Sequence, residues 1–385
     1  MASIQTRPTP AQGPAPAAAP ASAGPRCHTL VVGAGAVGSF LGALLGSVGH
    51  EVTLVRIFEP DSERPVELIR PDGSQTTIPV HRVTSSADAA TPDLILVAVK
   101  MPMLREALEP TLRWPEVPTL TVENGIGAYE IASEMRPRAP QIAGSLTAPI
   151  APASQDEVRW LGRGGIGLAT VTQAEPATGP LSEPPAAELI ASLVADFKRS
   201  GFRAAALPDA PAMKWSKLLA NIIANATGAI LDMDATDIYR EPGLFGVERR
   251  QLLETLRVMA GLGLRPVAIP GAAIPWLARG ARLPAWIGRP ILTRALGDAR
   301  AGKMPSLRIH VRSAPPDGPS PEQTEVAWMN GAVADQAERL GVPAPVNRLL
   351  TTLTDEVATD PERRAWFRGR PDRLLAELAR TEAAG

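Results

Sequence analysis

Between His28 and His50 the chain carries 21 residues without a single charge, TLVVGAGAVGSFLGALLGSVG. Such a run is either one apolar helix long enough to cross a bilayer or a buried strand, a tight turn and a buried helix. Gly38, Gly42 and Gly46 have the small-residue spacing of paired membrane helices. Gly33 and Gly35 would be costly inside one continuous helix, and the strand–turn–helix reading accommodates them. Gly33-Ala34-Gly35-Ala36-Val37-Gly38 is a complete G-x-G-x-x-G that follows the strand Thr29–Val32 and opens the helix. The first glycine allows the tight turn, the second lets backbone approach a pyrophosphate, and the third lets helix pack on strand. The helix N-terminus favours the phosphate charge. These six residues are therefore predicted to bind a dinucleotide.

The segments that follow agree. Glu51–Val55, Leu94–Val99, Thr119–Val122 and Gln141–Leu146 read as strands, and Leu94–Val99 is apolar throughout, as in a strand covered on both faces. Short helices fit 101–109 and 127–135. Strands alternating with helices predict an α/β fold with a doubly wound parallel sheet. The second half changes character: helical periods dominate at 186–200, 212–231, 244–263, 322–340 and 360–381. Two prolines in Leu207-Pro-Asp-Ala-Pro211 mark the boundary. The expected organisation is a tail over 1–26, a dinucleotide-binding domain over 27–208 and a helical substrate or dimerisation domain over 209–385. Ala, Pro or Gly fill 16 of the first 26 positions, a composition that cannot offset its ordering entropy by burial, so this tail is expected to be disordered. The segment 313–320 reads as a turn-rich loop, and Ser320–Gln323 as a capping box that starts a helix. The helices at 244–300, with Trp276 and Trp286, suit either a homodimer interface or the core.

Charge and cysteine content exclude several classes. With 39 basic and 40 acidic residues the formal net charge is −1, which removes bulk attraction to nucleic acid or an acidic membrane surface. Cys27 is the one cysteine, and four scattered histidines do not form a metal cluster. A cytoplasmic, metal-independent protein is expected. Only Lys100, Lys198, Lys214, Lys217 and Lys303 are lysines among the 39 basic residues. Arginine supplies charge elsewhere, so each lysine invites a specific question.

Arg56 ends the second strand, where an NAD-type site would place an acid; an arginine there suits a 2′-phosphate and favours NADPH (NADP+). Glu59 and Asp61 follow closely and leave NAD(H) open. Lys100 closes an apolar strand at its carboxyl end and suits phosphate. Asn124, in the turn Glu123-Asn-Gly-Ile-Gly127, faces either the nicotinamide side or the substrate.

The most informative helix is Trp215-Ser-Lys217-Leu-Leu-Ala-Asn221-Ile-Ile-Ala-Asn225. Lys217, Asn221 and Asn225 stand at i, i+4 and i+8, one polar stripe among apolar residues. Asparagine is a mediocre helix former, so two of them here call for a ligand or solvent. Lys214, one turn earlier, is expected to lower the Lys217 pKa by like-charge repulsion, which suits proton donation to a carbonyl oxygen.

These residues resemble the ketopantoate reductase family. GAGAVG, LVAVK, ENGIG, WSKLLANIIAN and TEVAWMNG carry the resemblance over about residues 28–350. It implies an N-terminal Rossmann-type domain, a C-terminal all-helical domain, and NADPH-dependent reduction of 2-dehydropantoate on the route to pantothenate and coenzyme A. It further implies that Lys217 meets the keto oxygen and that Asn124, Asn221 and Asn225 line the substrate site. Lys100 would bind cofactor phosphate, Glu325 would be the site glutamate, and Ser306 would bind substrate. The segment Leu231-Asp-Met-Asp-Ala235 departs from the family's PNGEL-like stretch. That departure keeps open a sister oxidoreductase acting on another 2-keto acid or an imine.

Overall fold

The computed structural model describes residues 27–56, 62–152, 154, 156–172, 184–300, 306–313 and 324–384. The expected tail over 1–26, Glu59 and Asp61, the loop residues 314–320 and the capping box at Ser320–Gln323 lie outside the described residues.

The strands are β1 (His28–Val32), β2 (Glu51–Val55), β3 (Val66–Ile69), β4 (Gln75–Ile78), β5 (His81–Val83), β6 (Leu94–Val97), β7 (Thr119–Thr121), β8 (Gln141–Leu146), β9 (Ile150–Pro152), β10 (Glu157–Trp160), β11 (Ile166–Thr170) and β12 (Ala204–Ala206). Eight of them form one sheet in the order β12-β11-β8-β7-β6-β1-β2-β5. Neighbours run parallel throughout except β8 and β11, which are antiparallel. The expected parallel sheet is thus extended by an antiparallel step. Leu94–Val97 and Leu30–Val32 are almost wholly buried, which explains their unbroken apolar sequence. Strand order reverses at β1, between β2 and β6. The carboxyl ends of β1 and β6 therefore border the crevice where open α/β sheets bind ligands.

The uncharged run folds as β1, a turn and the helix Ala36–Gly46. No helix among the described residues is long and apolar enough to cross a membrane. A second sheet, β4-β3-β10-β9, packs against that first helix. It was not legible in the sequence, because its strands are three or four residues long.

From Ala210 onward the described chain is almost wholly helical. One apolar cluster runs through this half from Trp215 to Leu378. The helix Ala210–Asn221 belongs to both halves. Its Ala210 and Met213 pack with Tyr129, Ala143 and Ala169 of the sheet half, whereas Trp215, Leu218 and Leu219 enter the helical core. Asp209 caps it by accepting from the Ala212 amide at 2.8 Å. Burial of Leu218 and Leu219, both at 0% exposure, contributes about 1.5–3 kcal/mol each, so the helix is firmly seated.

Several helical expectations need correction. The period over 212–231 is two helices, Ala210–Asn221 and Ala226–Leu231. Glu325–Trp328 is a 3-10 turn, separated from the helix Asn330–Arg339 by an irregular Met329. The period over 360–381 divides into Pro361–Phe367 and Pro371–Ala384. Trp276 and Trp286 are 71% and 79% exposed, which removes them from the core of this chain.

Candidate active site

The glycine turn has the shape its motif demands. Gly33 has φ +100°, and a Cβ there would lie 2.8 Å from the Ala98 carbonyl. A Cβ at Gly38 would stand 2.1 Å from the Gly33 carbonyl, so that position admits no side chain. A Cβ at Gly35 would meet nothing within 4 Å. The middle glycine therefore leaves open space at the mouth of the Ala36–Gly46 helix, whose N-cap carries no side-chain hydrogen bond and whose first turn carries no acid. Ala36 and Val37 open that helix; Ala34 donates its amide to the Val55 carbonyl at 3.2 Å, tying the turn to the end of β2. Half-buried Arg56 follows directly, and its amide donates to the Val83 carbonyl at 2.8 Å. Lys100 is exposed three residues beyond β6. The turn, Arg56 and Lys100 thus share the carboxyl edge of the sheet. Open backbone, a helix N-terminus and two cations fit a dinucleotide phosphate.

A polar chain crosses from the helical half to this edge. Lys217 Nζ donates to Asn221 Oδ1 at 2.9 Å, and Asn221 Nδ2 donates to Asn124 Oδ1 at 2.9 Å. All three side chains are half-buried. Asn124 lies in the turn after β7, which is pinned from the other side: the Ile126 amide donates to the Trp328 carbonyl at 2.9 Å. A Cβ at Gly125 would lie 2.5 Å from that same carbonyl. Glu325, in the same 3-10 turn as Trp328, accepts from the Met101 amide through Oε1 at 3.3 Å. Glu325 therefore reaches the loop after β6, next to Lys100.

Asn225 is not part of a continuous stripe with Lys217 and Asn221. The helix ends at Asn221, and Ala224 takes a left-handed φ of +51°. That conformation costs an alanine about 1–2 kcal/mol, and fully buried Glu248 offsets it. Glu248 accepts from the Ala224 amide at 2.8 Å, from Thr227 Oγ1 at 2.7 Å and from Tyr239 Oη at 3.3 Å. The break rotates Asn225 inward to 4% exposure. There it accepts from the Leu307 amide at 3.0 Å, and its Nδ2 lies 3.5 Å from Ser306 Oγ. Asn225 thus seats the helix Ser306–Ser313 and its exposed first residue, Ser306.

The divergent segment after Asn225 has a defined part in this arrangement. Asp232 accepts from Arg308 Nε at 3.0 Å and pairs with Arg312 at 3.3 Å and Arg368 at 3.1 Å. Asp234 holds a second nitrogen of Arg308, at 2.5 Å. The acidic turn grips the helix whose first residue is Ser306.

Lys214 has a partner of its own in the sheet half. Its side chain is buried, and Nζ donates to the Glu123 carbonyl at 2.6 Å. Burial lowers its own pKa, against the attraction of Glu123 and Glu130. The Glu123 carboxyl is pushed up to about 8, chiefly by burial and also by Glu325, against the pull of Lys214. Sequence reasoning passed over Glu123, which nothing but its place beside Asn124 marked. Among the described residues no group of three His, Cys, Asp or Glu side chains could hold a metal ion. A cavity of about 900 Å³ lined by Arg240, Trp286 and Arg289 includes none of the site residues.

Comparison with known proteins finds similarity along most of the chain. The family model described as "Ketopantoate reductase PanE/ApbA" matches residues 29–173, and its C-terminal counterpart matches residues 313–358. A 2-dehydropantoate 2-reductase of Pyrococcus horikoshii is 24% identical over 333 residues, which cover 84% of this chain and 95% of that protein. Among solved structures, a PanE/ApbA family ketopantoate reductase from Ralstonia eutropha superposes with a TM-score of 0.67 at 19% identity, covering 88% of this chain and 99% of that one. D-mandelate dehydrogenase with NADH and anilino(oxo)acetate superposes with a TM-score of 0.64 at 18% identity, over 88% and 99% of the two chains.

Proposed function

The chain belongs to the ketopantoate reductase family, oxidoreductases of the 2-dehydropantoate 2-reductase type, and from that premise we propose that it reduces 2-dehydropantoate to pantoate with NADPH. The observation that carries the reading is the hydrogen-bonded chain Lys217–Asn221–Asn124, which ends beside the carboxyl edge of the glycine-turn sheet.

When bound, a nicotinamide cofactor would supply the hydride for the keto carbon. Gly33 to Gly38 would hold the pyrophosphate, and Arg56 and Lys100 would meet the remaining phosphate charge, including a 2′-phosphate at Arg56. Lys217 polarises the keto oxygen and gives it a proton, with Asn221 holding the ammonium in place. Asn124 and Asn221, linked to one another, fix the distance between the two edges of the cleft. Ser306 binds the hydroxyl and carboxylate end of the substrate, and buried Asn225 seats the helix that presents it. Glu325, tied to the Met101 amide, orients a substrate hydroxyl or Lys217. Orientation and fixed dipoles provide most of the acceleration.

The direct test is NADPH oxidation by the purified protein with 2-dehydropantoate, beside NADH, other 2-keto acids and a Lys217→Ala control. Turnover that prefers NADPH and collapses in the control supports the reading. One observation favours a second reading, a sister enzyme for another 2-keto acid: the segment 231–235 departs from the family pattern and serves as an anchor for the Ser306 helix. A bound cofactor with no turnover of 2-dehydropantoate, but turnover of another acid in the panel, selects it.

A further inference from the structure

Lys214 is one of the few lysines in the chain and is 2% exposed; Glu123 is 4% exposed. Neither carboxyl oxygen of Glu123 meets a hydrogen-bond partner among the described residues, and the main-chain amides of Glu123 and Val99 are the polar groups turned toward it. Lys214 bonds the Glu123 carbonyl, not its carboxyl. Two buried ionisable groups thus lie under the turn that carries Asn124, and the proposed chemistry uses neither.

Their placement is specific. Lys214 and Asn221 are seven residues apart on one helix, two turns, and so share a face. They donate to consecutive residues of the turn: Lys214 to the Glu123 carbonyl at 2.6 Å, Asn221 to the Asn124 side chain at 2.9 Å. The helix that bears Lys217 therefore holds the turn at two points. We propose that Lys214 is a positioning residue of this site: its bond to the Glu123 main chain keeps Asn124 in register with Asn221 and Lys217. This rests on the reading of Lys217, Asn221 and Asn124 as the reacting site.

The two groups divide the work. The clamp is a main-chain contact, so it is indifferent to the side chain at 123. Glu123 and Glu130 are the acids that attract the Lys214 ammonium, against the burial that disfavours it. Without the clamp the turn keeps its Asn221 and Trp328 contacts but loses the hold on its first residue, and a misplacement of about 1 Å costs roughly 100-fold in rate.

The experiment uses Lys214→Met, Glu123→Gln and the double variant. Steady-state kinetics is paired with hydrogen exchange of residues 119–130 in cofactor-free protein. Glu123→Gln keeps the carbonyl and hence the clamp, and is expected to exchange like the parent. Lys214→Met and the double variant are expected to lose about 10–100-fold in kcat, with the cofactor KM unchanged and faster exchange over 124–127. The double variant carries no unbalanced buried charge, so it regains stability but not rate. If the double variant recovers both the parental kcat and the parental exchange, Lys214 only balances charge and the proposal falls. If the parent reduces no 2-keto acid, the catalytic reading fails separately, and the exchange data still decide whether the clamp exists.

Discussion

Asn221 and Asn124 lie 97 residues apart in the chain, one on a helix of the second half and one on a turn of the sheet, and their amides are bonded at 2.9 Å. This contact joins the element that bears Lys217 to the edge that bears the glycine turn. Replacing either residue by alanine breaks it. Each single variant is expected to lower kcat about 10-fold or more, and the double variant to cost less than the sum, with a coupling of about 0.5–3 kcal/mol. A double-mutant cycle on kcat/KM measures it; additive effects would show that the amides act independently.

Lys217→Ala is expected to lower kcat by about 10²–10⁴-fold, the usual worth of a positioned proton donor. Lys217→Arg is expected to recover little, because guanidinium does not release its proton near neutral pH. Cofactor affinity, read by fluorescence titration, should move little in both.

The glycine turn separates shape from binding. At Gly38 a Cβ would stand 2.1 Å from the Gly33 carbonyl, whereas at Gly35 it would meet nothing within 4 Å. Gly38→Ala should therefore lower the melting temperature and abolish cofactor binding together. Gly35→Ala should leave the melting temperature of the cofactor-free protein unchanged and raise the cofactor Kd. Thermal melts with and without NADPH distinguish the two.

The buried Glu123 carboxyl gives stability a defined pH dependence. Its pKa rises from the ordinary 4.5 to about 8 on folding. Between those values the folded state holds a proton that the unfolded state has released. Stability from this group is therefore greatest below about pH 4.5, falls as pH rises, and levels off above about 8. Glutamine does not titrate, so the stability of Glu123→Gln relative to the parent should increase from pH 5 to pH 8. Equal slopes for the two proteins would mean that Glu123 is solvated.

Arg308 joins the Ser306 helix to the acidic turn through Asp232 and Asp234. The Arg308 side chain is 12% exposed and Asp232 is 15% exposed, so the pair is partly shielded from solvent. Arg308→Ala is expected to cost about 2 kcal/mol of stability and to raise the keto-acid KM more than it lowers kcat. Chemical denaturation with kinetics across a substrate series checks both; an unchanged KM would remove Ser306 from the substrate contacts.

The glycine turn and the strands that flank it were legible because each obeys a local rule: period, apolar continuity, and backbone that only glycine permits. Lys217, Asn221 and Asn124 were legible as individual residues, and the fold brings them into contact. The break after Asn221 was hidden because it comes from Glu248, which lies 24 residues beyond Ala224 and takes its amide. Helical spacing by itself continued the stripe to Asn225. The role of Lys214 was hidden for a related reason: its partner is a main-chain carbonyl 91 residues away, and main chain leaves no mark in a sequence. The helix Pro345–Thr359 was overlooked. It is placed by a buried network in which Glu254 receives the Val346 and Asn347 amides at 3.0 and 2.9 Å.

The acidic turn at Asp232–Asp234 and the helix it grips behave as a lock and its bolt, remote from the glycine turn in sequence. If Ser306 contacts the keto acid, substrate preference and cofactor preference are separable inheritances in this scaffold. A recombinant that exchanges 231–235 and 306–313 as one matched cassette should trade keto-acid scope while keeping its coenzyme, whereas exchange of either piece without the other should leave a helix with no counterpart to fasten it.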